Sequence, residues 1–134
     1  MIEFLENIDE SSINYTYAII LAKYGGKWVF VKHKDRNTWE LPAGHVESNE
    51  TVEEAAEREL REETGAKEYE LAPLVSYRGL SMGETVYGRL FSADIKKLGP
   101  LPDFEIAEVK LFDEIPENLT YPEIQTKFLR WYGM

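Results

Sequence analysis

The segment from Thr51 to Gly65 constrains the fold of this chain more than any other, because it carries its own signals for the start and end of a helix. Thr51 and Glu54 form a capping box, in which each side chain accepts a hydrogen bond from the other residue's backbone N–H. The two alanines after Glu54 are strong helix formers, and Gly65 is the residue type at which helices commonly end. The sequence therefore predicts a helix from Thr51 to Thr64.

Strand-like segments lie on both sides of this helix. Tyr15–Lys23 and Lys27–Lys34 are rich in β-branched and aromatic residues, and the Gly25-Gly26 pair between them predicts a hairpin. The other predicted elements are an extended segment Trp39–Pro42 with a turn at Ala43-Gly44, strands at Glu70–Tyr77, Glu84–Ile95 and Glu108–Phe112, and a final helix Pro122–Trp131. This order predicts an α/β fold with helices packed on a sheet.

Composition limits the classes of function. The 134 residues suit a single domain, 1–134, and 43% apolar residues are enough for a core. A net charge of -10 argues against duplex nucleic acid as a partner, because basic residues drive that binding. No apolar run reaches the roughly 18–20 residues of a membrane span, so no membrane partner is expected. The acidic N-terminus and the absence of cysteine agree with a cytoplasmic location.

The predicted helix concentrates carboxylates on one side. Glu59 lies three and four positions before Glu62 and Glu63, so the three side chains share one arc of the helix surface. Along this arc the preceding neighbours of Glu59 are alanines, and no helical cation faces it. Such a cluster favours a hard divalent cation, because carboxylate oxygens bind these ions well. The alternative interpretation is a solvated acidic surface, which most glutamate-rich helices present.

A longer pattern surrounds this cluster. Gly44 is followed after five residues by Glu50, and Glu50 is followed after seven residues by the run Arg58–Ala66. This order and spacing resemble the Nudix box, GX5EX7REUXEEXGU, with every fixed position filled. Ala66 departs from the pattern, since a bulkier aliphatic residue usually stands there. The lead-in Trp39–Glu47 is also similar to that of the Nudix hydrolases.

The resemblance implies a fold and a chemistry. The fold is an α/β/α sandwich with a mixed β-sheet, and the activity is hydrolysis of nucleoside diphosphates linked to another moiety. The resemblance also implies a role for each matching residue. Glu59, Glu62 and Glu63 bind Mg²⁺ or Mn²⁺, the Gly44 carbonyl completes a metal site, Arg58 orients the glutamates, Glu50 braces the loop and Gly65 is structural. One of the glutamates, or a glutamate outside the box, deprotonates water.

Basic residues cluster at the end of the second predicted strand. Lys32 or Arg36 is expected to contact substrate phosphates, as basic residues here do in several relatives; the alternative is a solvated strand end. His33 and His45 have no evident second ligand in the sequence, so we expect surface or structural roles for them.

Three acidic residues after the box can supply a fourth metal carboxylate. They are Asp103, Glu105 and Glu108, of which Glu105 is favoured. An acidic surface loop is the alternative interpretation for each of them.

Aromatic and polar side chains outside the box can bind a base. Tyr77, Tyr87 and Phe104 offer aromatic faces on which a base can stack, although aromatic residues in strands more often belong to the core. Glu123 and Gln125, at the start of the last helix, can read a base edge by hydrogen bonding.

The substrate is inferred partly by elimination. Met82–Glu84 lack the proline or tyrosine that marks relatives acting on ADP-ribose or diadenosine polyphosphates. The chain resembles MutT-type nucleoside triphosphate pyrophosphohydrolases, and its segments Gly25–Trp28, Ala93–Ile95 and Leu111–Leu119 resemble a Bacillus-type branch of them. The expected substrate is a (d)NTP or 8-oxo-dGTP.

Other interpretations stay open. Other Nudix substrates remain possible, namely ADP-ribose, a nucleotide sugar, a dinucleoside polyphosphate or an RNA 5′ end. Two further alternatives are a non-catalytic nucleotide or RNA-end sensor and an acidic module that binds a protein partner. We expect a monomer or a homodimer.

Overall fold

The structure is a computed structural model, and it describes residues 2–102 and 105–133. Its elements, in chain order, are β1 (Ile2–Leu5), a 3₁₀ helix (Glu10–Ser12), β2 (Tyr17–Tyr24), β3 (Lys27–His33), β4 (Ala43–His45), α1 (Val52–Thr64), β5 (Ala66–Ser81), β6 (Glu84–Leu98), β7 (Ile106–Phe112) and α2 (Pro122–Tyr132). Neither α1 nor α2 is long and apolar enough to cross a membrane.

The strands form one mixed sheet. The order across it is β1-β5-β6-β2-β3-β7, and β4 pairs with the first half of β2. Strand β2 runs parallel to β6, whereas the other pairings are antiparallel. The predicted mixed sheet is confirmed.

Alternate residues of the central strands point to opposite faces of this sheet. Ile20 belongs to a core cluster with Ala55, Ala56 and Leu60 of α1. Leu21, its neighbour in β2, belongs to a second cluster with Phe128 and Leu129 of α2. The two helices therefore cover opposite faces, which confirms the three-layer α/β/α architecture.

The local sequence signals are confirmed where they are strongest. Gly25 and Gly26 connect β2 to β3 with φ angles of 60° and 79°, a backbone conformation that glycine adopts readily. Thr51 and Glu54 form the capping box of α1. Gly65 ends α1 with a φ of 77°, and a Cβ there would lie 2.8 Å from the carbonyl oxygen of Gly99.

Three elements differ from the prediction. The segment Ala43–His45 is a strand paired with Tyr17–Ile19, not a turn. Strand β1 was not predicted, and it pairs with the second half of β5. Strand β5 begins at Ala66, directly after Gly65, so it is longer than the predicted Glu70–Tyr77. Each difference comes from pairing with a distant segment, which local patterns do not report.

Candidate active site

One arginine in the middle of α1, Arg58, connects this helix to the loop that precedes it. Arg58 donates two hydrogen bonds to Glu50, at 3.0 and 2.7 Å, and one to the carbonyl oxygen of His45 at 3.0 Å. It also donates to Glu59 at 2.6 Å and to Glu62 at 3.4 Å. The expectation that no helical cation faces Glu59 is therefore wrong, because the adjacent guanidinium turns back onto it. The expected orienting role of Arg58 agrees with these contacts.

Glu50 has the place expected of a brace. It accepts the paired bonds from Arg58, and it also accepts a hydrogen bond from the backbone N–H of Glu47 at 2.9 Å. These bonds to the charged form lower the pKa of Glu50, so it stays ionised.

Strand β4 meets the side chain of Glu59 at Gly44. A Cβ at this position would overlap the carboxyl group of Glu59, so the glycine leaves room for that carboxyl group where it lies. One turn further along α1, Glu63 accepts a hydrogen bond from the backbone N–H of Ala43 at 3.0 Å. Glu59 and Glu63 therefore both face β4, as the helical spacing predicts.

Burial makes these two carboxylates unusually basic. Glu63 is only 5% exposed, and loss of water together with the charges of Glu59, Glu40 and Glu105 raises its pKa to about 9, against the opposing hydrogen bond from Ala43. Burial also raises the pKa of Glu59, an effect that Arg58 opposes and Glu62 and Glu105 reinforce. Without a cation, the protein therefore holds a proton on Glu63 at neutral pH.

His33 lies among carboxylates rather than on a plain surface. Its Nε2 is 3.4 Å from Glu40 and 3.9 Å from Glu63, and its Nδ1 is 4.0 Å from Glu105. His33 therefore has carboxylate neighbours that the sequence does not reveal, and its expected surface or structural role stays a prediction. His45 is exposed and its ring packs on Tyr17 at 4.7 Å, in agreement with the expected surface role.

The donor atoms in this region suit a divalent cation. The ligand atoms of His33, Glu63 and Glu105 all lie within 4.8 Å of one another, and Glu59 lies next to them against Gly44. Carboxylate oxygens are the ligands that Mg²⁺ and Mn²⁺ prefer, and imidazole suits first-row transition ions. A cation would also relieve the repulsion between the buried carboxylates. The residues therefore fit the metal that the Nudix resemblance implies.

A cleft of about 470 Å³ opens from this cluster. The polar end of its lining contains His33, Arg36, Glu40, Gly44, Glu59, Glu63 and Glu105. The apolar part of the lining contains Ile2, Ile19, Leu41, Tyr77, Val86 and Phe128. A cleft of this kind can bind a ligand with two unlike ends. A cation at the acidic end can bind the charged group of the ligand, while the apolar part packs against its aromatic group.

The structure brings some predicted substrate residues to this cleft and leaves others outside it. Arg36 and Tyr77 line the cleft. Lys32 does not, because its ammonium group pairs with Glu108 at 3.3 Å and lies 5.6 Å from the ring of Trp39. Tyr87 is half-buried and is not part of the lining. Asp103 and Phe104 lie outside the described residues.

Two members of the site were given no chemical role from the sequence. Glu40 is buried, accepts a hydrogen bond from Arg36 at 2.6 Å and contacts His33. It reaches the site because its backbone pairs with Val31, a pairing between distant segments. The one sequence signal is an acidic residue between the apolar Trp39 and Leu41. The pairing of β3 with β7 shifts register between Lys32 and His33, at a β-bulge that no local sequence pattern indicates.

Comparison with known proteins agrees with this fold. The sequence family described as the NUDIX domain matches residues 14–132, and the chain belongs to this family. The chain is 42% identical over 102 residues to the "Putative 8-oxo-dGTP diphosphatase YtkD" of Bacillus subtilis (strain 168), covering 75% of this chain and 64% of that protein. It is 33% identical over 72 residues to the RNA pyrophosphohydrolase of Marinomonas sp. (strain MWYL1), covering 54% and 45%.

A solved structure extends the likeness to almost the whole chain. The Bacillus subtilis pyrophosphohydrolase BsRppH, as its E68A mutant, matches with a TM-score of 0.79 and 32% identity over 98% of this chain and 91% of that one. The matches to the two curated relatives span less than two thirds of their lengths.

The raised pKa of Glu63 predicts how stability depends on pH. In the metal-free protein, folded Glu63 keeps its proton up to a pKa of about 9, while unfolded Glu63 loses it near the ordinary glutamate pKa of 4.5. This contribution to stability is complete below the unfolded pKa and is lost as the pH rises through the folded pKa. In the presence of a chelator, the free energy of unfolding should therefore fall as the pH rises from 5 to 9, with a slope of up to about 1.4 kcal/mol per pH unit.

Denaturant titrations of the wild type, Glu63→Gln and the exposed Glu68→Gln control test this. Glu63→Gln should remove most of the slope, whereas Glu68→Gln should keep it. Added Mn²⁺ should stabilise the wild type most at high pH, because binding displaces the proton. Parallel pH profiles in the wild type and Glu63→Gln would contradict the assignment, and indifference to Mn²⁺ and Mg²⁺ would favour the acidic partner-binding module.

Proposed function

We propose that this chain is a Mg²⁺-dependent hydrolase, also served by Mn²⁺, that cuts a phosphoanhydride bond in a nucleoside diphosphate-linked substrate. The preferred substrate is a (d)NTP or 8-oxo-dGTP, and the products are the nucleoside monophosphate and pyrophosphate. One observation carries the proposal. The buried carboxylate of Glu63 and the half-buried carboxylate of Glu59 share one end of a cleft whose other end is largely apolar.

The proposal gives a role to each group around the cation. Glu59, Glu62 and Glu63 would hold the metal together with the Gly44 carbonyl, and Glu105 would add a further carboxylate. Glu105 is supported by its approach to His33 and by its effect on the pKa of Glu59 and Glu63. When bound, the metal neutralises charge on the phosphate oxygens and makes a water more acidic.

The chain's own residues then account for binding and proton transfer. Water adds to a phosphorus of the anhydride, the bond from that phosphorus to the bridging oxygen breaks, and a glutamate of the cluster takes the proton. Arg58 keeps Glu59 oriented through a hydrogen bond of 2.6 Å. Arg36 lies in the cleft, 42% exposed at its side chain, where its guanidinium can meet the phosphates. The apolar wall with Tyr77 covers the nucleoside.

The comparisons support a triphosphate substrate without fixing the nucleoside. One relative is named for 8-oxo-dGTP, and others are named as RNA pyrophosphohydrolases. The relatives named RNA pyrophosphohydrolases favour an RNA 5′ end as the second candidate substrate. We also propose that residues 1–134 act as one domain, as a monomer or homodimer, on a small nucleotide in the cytoplasm.

Product analysis tests the proposed activity directly. Purified protein with Mg²⁺ is offered NTPs, dNTPs, 8-oxo-dGTP, ADP-ribose, a diadenosine polyphosphate, a nucleotide sugar and a 5′-triphosphorylated RNA. We expect nucleoside monophosphate and pyrophosphate from the triphosphates. Cleavage of only a linked dinucleotide or sugar would move the substrate class. Absence of any turnover, with metal binding retained, would leave the sensor interpretation.

Single substitutions test the metal carboxylates. Glu59→Gln, Glu62→Gln and Glu63→Gln should each lower turnover by on the order of 10²-fold or more, because each removes a charge from the reacting centre. Glu53→Gln, on the same helix but outside the cleft, should keep near-normal turnover. Circular dichroism should show that all four variants fold. Near-normal activity in Glu62→Gln and Glu63→Gln would reject the ligand assignment.

The two basic residues can now be separated. Arg36→Met should raise KM, by on the order of tenfold, because a charged hydrogen bond to phosphate is lost. Lys32→Met is the matched control, since that side chain pairs with Glu108 outside the cleft and should change KM little. Steady-state kinetics on the best triphosphate provide the comparison. An equal KM for Arg36→Met and the wild type would leave Arg36 as a partner of Glu40 only.

A further inference from the structure

Gln125 lies near the start of α2. In its side-chain amide, the oxygen has a hydrogen-bond partner and the nitrogen has none among the described residues. The residue is 5% exposed, and it lines the cleft beside the carboxylate cluster. Its Oε1 accepts a buried hydrogen bond of 2.8 Å from the backbone N–H of Leu41. Its Nε2 is buried and has no hydrogen-bond partner among the described residues. A buried donor without a partner costs stability, so its presence calls for an explanation.

The hydrogen bond from Leu41 determines the positions of the oxygen and the nitrogen in the side-chain amide of Gln125. Turning the side chain over would place the Nε2 hydrogens against the N–H of Leu41, donor against donor. Gln125 therefore presents Nε2, which can only donate, on its remaining side. Tethering Leu41 needs only the oxygen, so that structural role leaves the amino group unexplained.

The position of Gln125 suits contact with the nucleoside part of a substrate. Gln125 accepts from the N–H of Leu41, and Glu63 accepts from the N–H of Ala43. Two residues of extended chain span at most about 7 Å, so the carboxylate end and Gln125 are a short distance apart. The lining around Gln125 includes Tyr77 and Phe128, whose rings suit a flat apolar ligand.

We propose that Nε2 of Gln125 donates a hydrogen bond to a ring carbonyl oxygen of the substrate's base. The cleft then selects bases with a carbonyl at this edge, such as guanine, hypoxanthine and uracil. It disfavours adenine and cytosine, whose amino group at the equivalent position would place a donor against the donor. The inference rests on the proposed function, because it concerns the nucleotide in the same cleft. Nε2 lies beneath the lining, so a side chain of the lining shifts when the base binds.

The expected preference is large enough to measure. A site that hydrogen-bonds a polar group rejects an analogue that leaves its buried group unpaired. We expect the kcat/KM of the wild type to favour the carbonyl base by roughly tenfold or more. ITP with ATP is the sharpest matched pair, because these purines differ at one ring position. UTP with CTP is the corresponding pyrimidine pair.

Two substitutions at position 125 test the donor. Gln125→Glu keeps an oxygen for Leu41, and its preference should weaken or reverse as the pH rises and the new buried carboxyl group loses the proton that it could donate. Gln125→Met removes both polar groups and should abolish the preference without reversing it. Lys127→Gln, exposed on the same helix, should keep the preference of the wild type. Thermal unfolding checks that the variants are folded.

The outcome separates this inference from the proposed activity. Calorimetric binding of IMP and AMP to the wild type and both variants gives a readout that needs no turnover. Hydrolysis of triphosphates with equal rates for ITP and ATP, or an unchanged preference in Gln125→Glu and Gln125→Met, would overturn the role of Gln125 and leave the hydrolase proposal standing. The opposite result is also possible to recognise. If the protein hydrolyses no triphosphate but binds IMP more tightly than AMP, and Gln125→Met loses this difference in affinity, the role of Gln125 would stand and the hydrolase proposal would be overturned.

Discussion

The site depends first on the guanidinium group of Arg58. A single planar cation joins Glu50 in the loop, the carbonyl oxygen of His45 in β4, and Glu59 and Glu62 on α1. These bonds hold β4 at the distance at which Gly44 meets the carboxyl group of Glu59. Arginine suits this task because its donors form a rigid fork, whereas lysine offers one compact charge. The same interaction therefore sets both the loop and the orientation of the acidic face.

Helix α1 combines two opposing contributions to stability. On its core side, Ala55, Ala56 and Leu60 are fully buried against the sheet and favour folding. On its cleft side, Glu59 and Glu63 are held where their ionised forms are disfavoured, as their raised pKa values show. In return for the burial of Glu63, which is 5% exposed, the fold gains one hydrogen bond, from the backbone N–H of Ala43. Unfavourable burial of ionisable groups of this kind is common at functional sites.

Local patterns carried the prediction of α1 and of the β2–β3 hairpin, because capping residues, glycines and side-chain periodicity act within a few positions. They also placed Glu59 and Glu63 on one arc, as the structure has them. The same patterns missed β1 and the pairing of β4 with β2, since both depend on partners far away in the chain. His33 and Glu40 enter the site only through the bulge in β3 and the bridge from Val31 to Glu40. Helical spacing therefore predicts the acidic arc, whereas tertiary pairing completes the cleft.

The acidic end and the apolar end of the cleft are built by different elements of the fold. Side chains at one end can therefore change while those at the other end stay the same. The acidic end is built by α1 and β4, which are joined through Arg58 and Gly44. The apolar end is built by residues of β1, β2, β5, β6 and α2, and Gln125 of α2 accepts a hydrogen bond from the backbone N–H of Leu41. Substitutions in α2 can therefore alter what the apolar end recognises without moving Glu59 or Glu63. Because fold alone does not determine function, the side chains of the apolar end are where the proposed preference for a nucleoside should be tested, rather than those of α1.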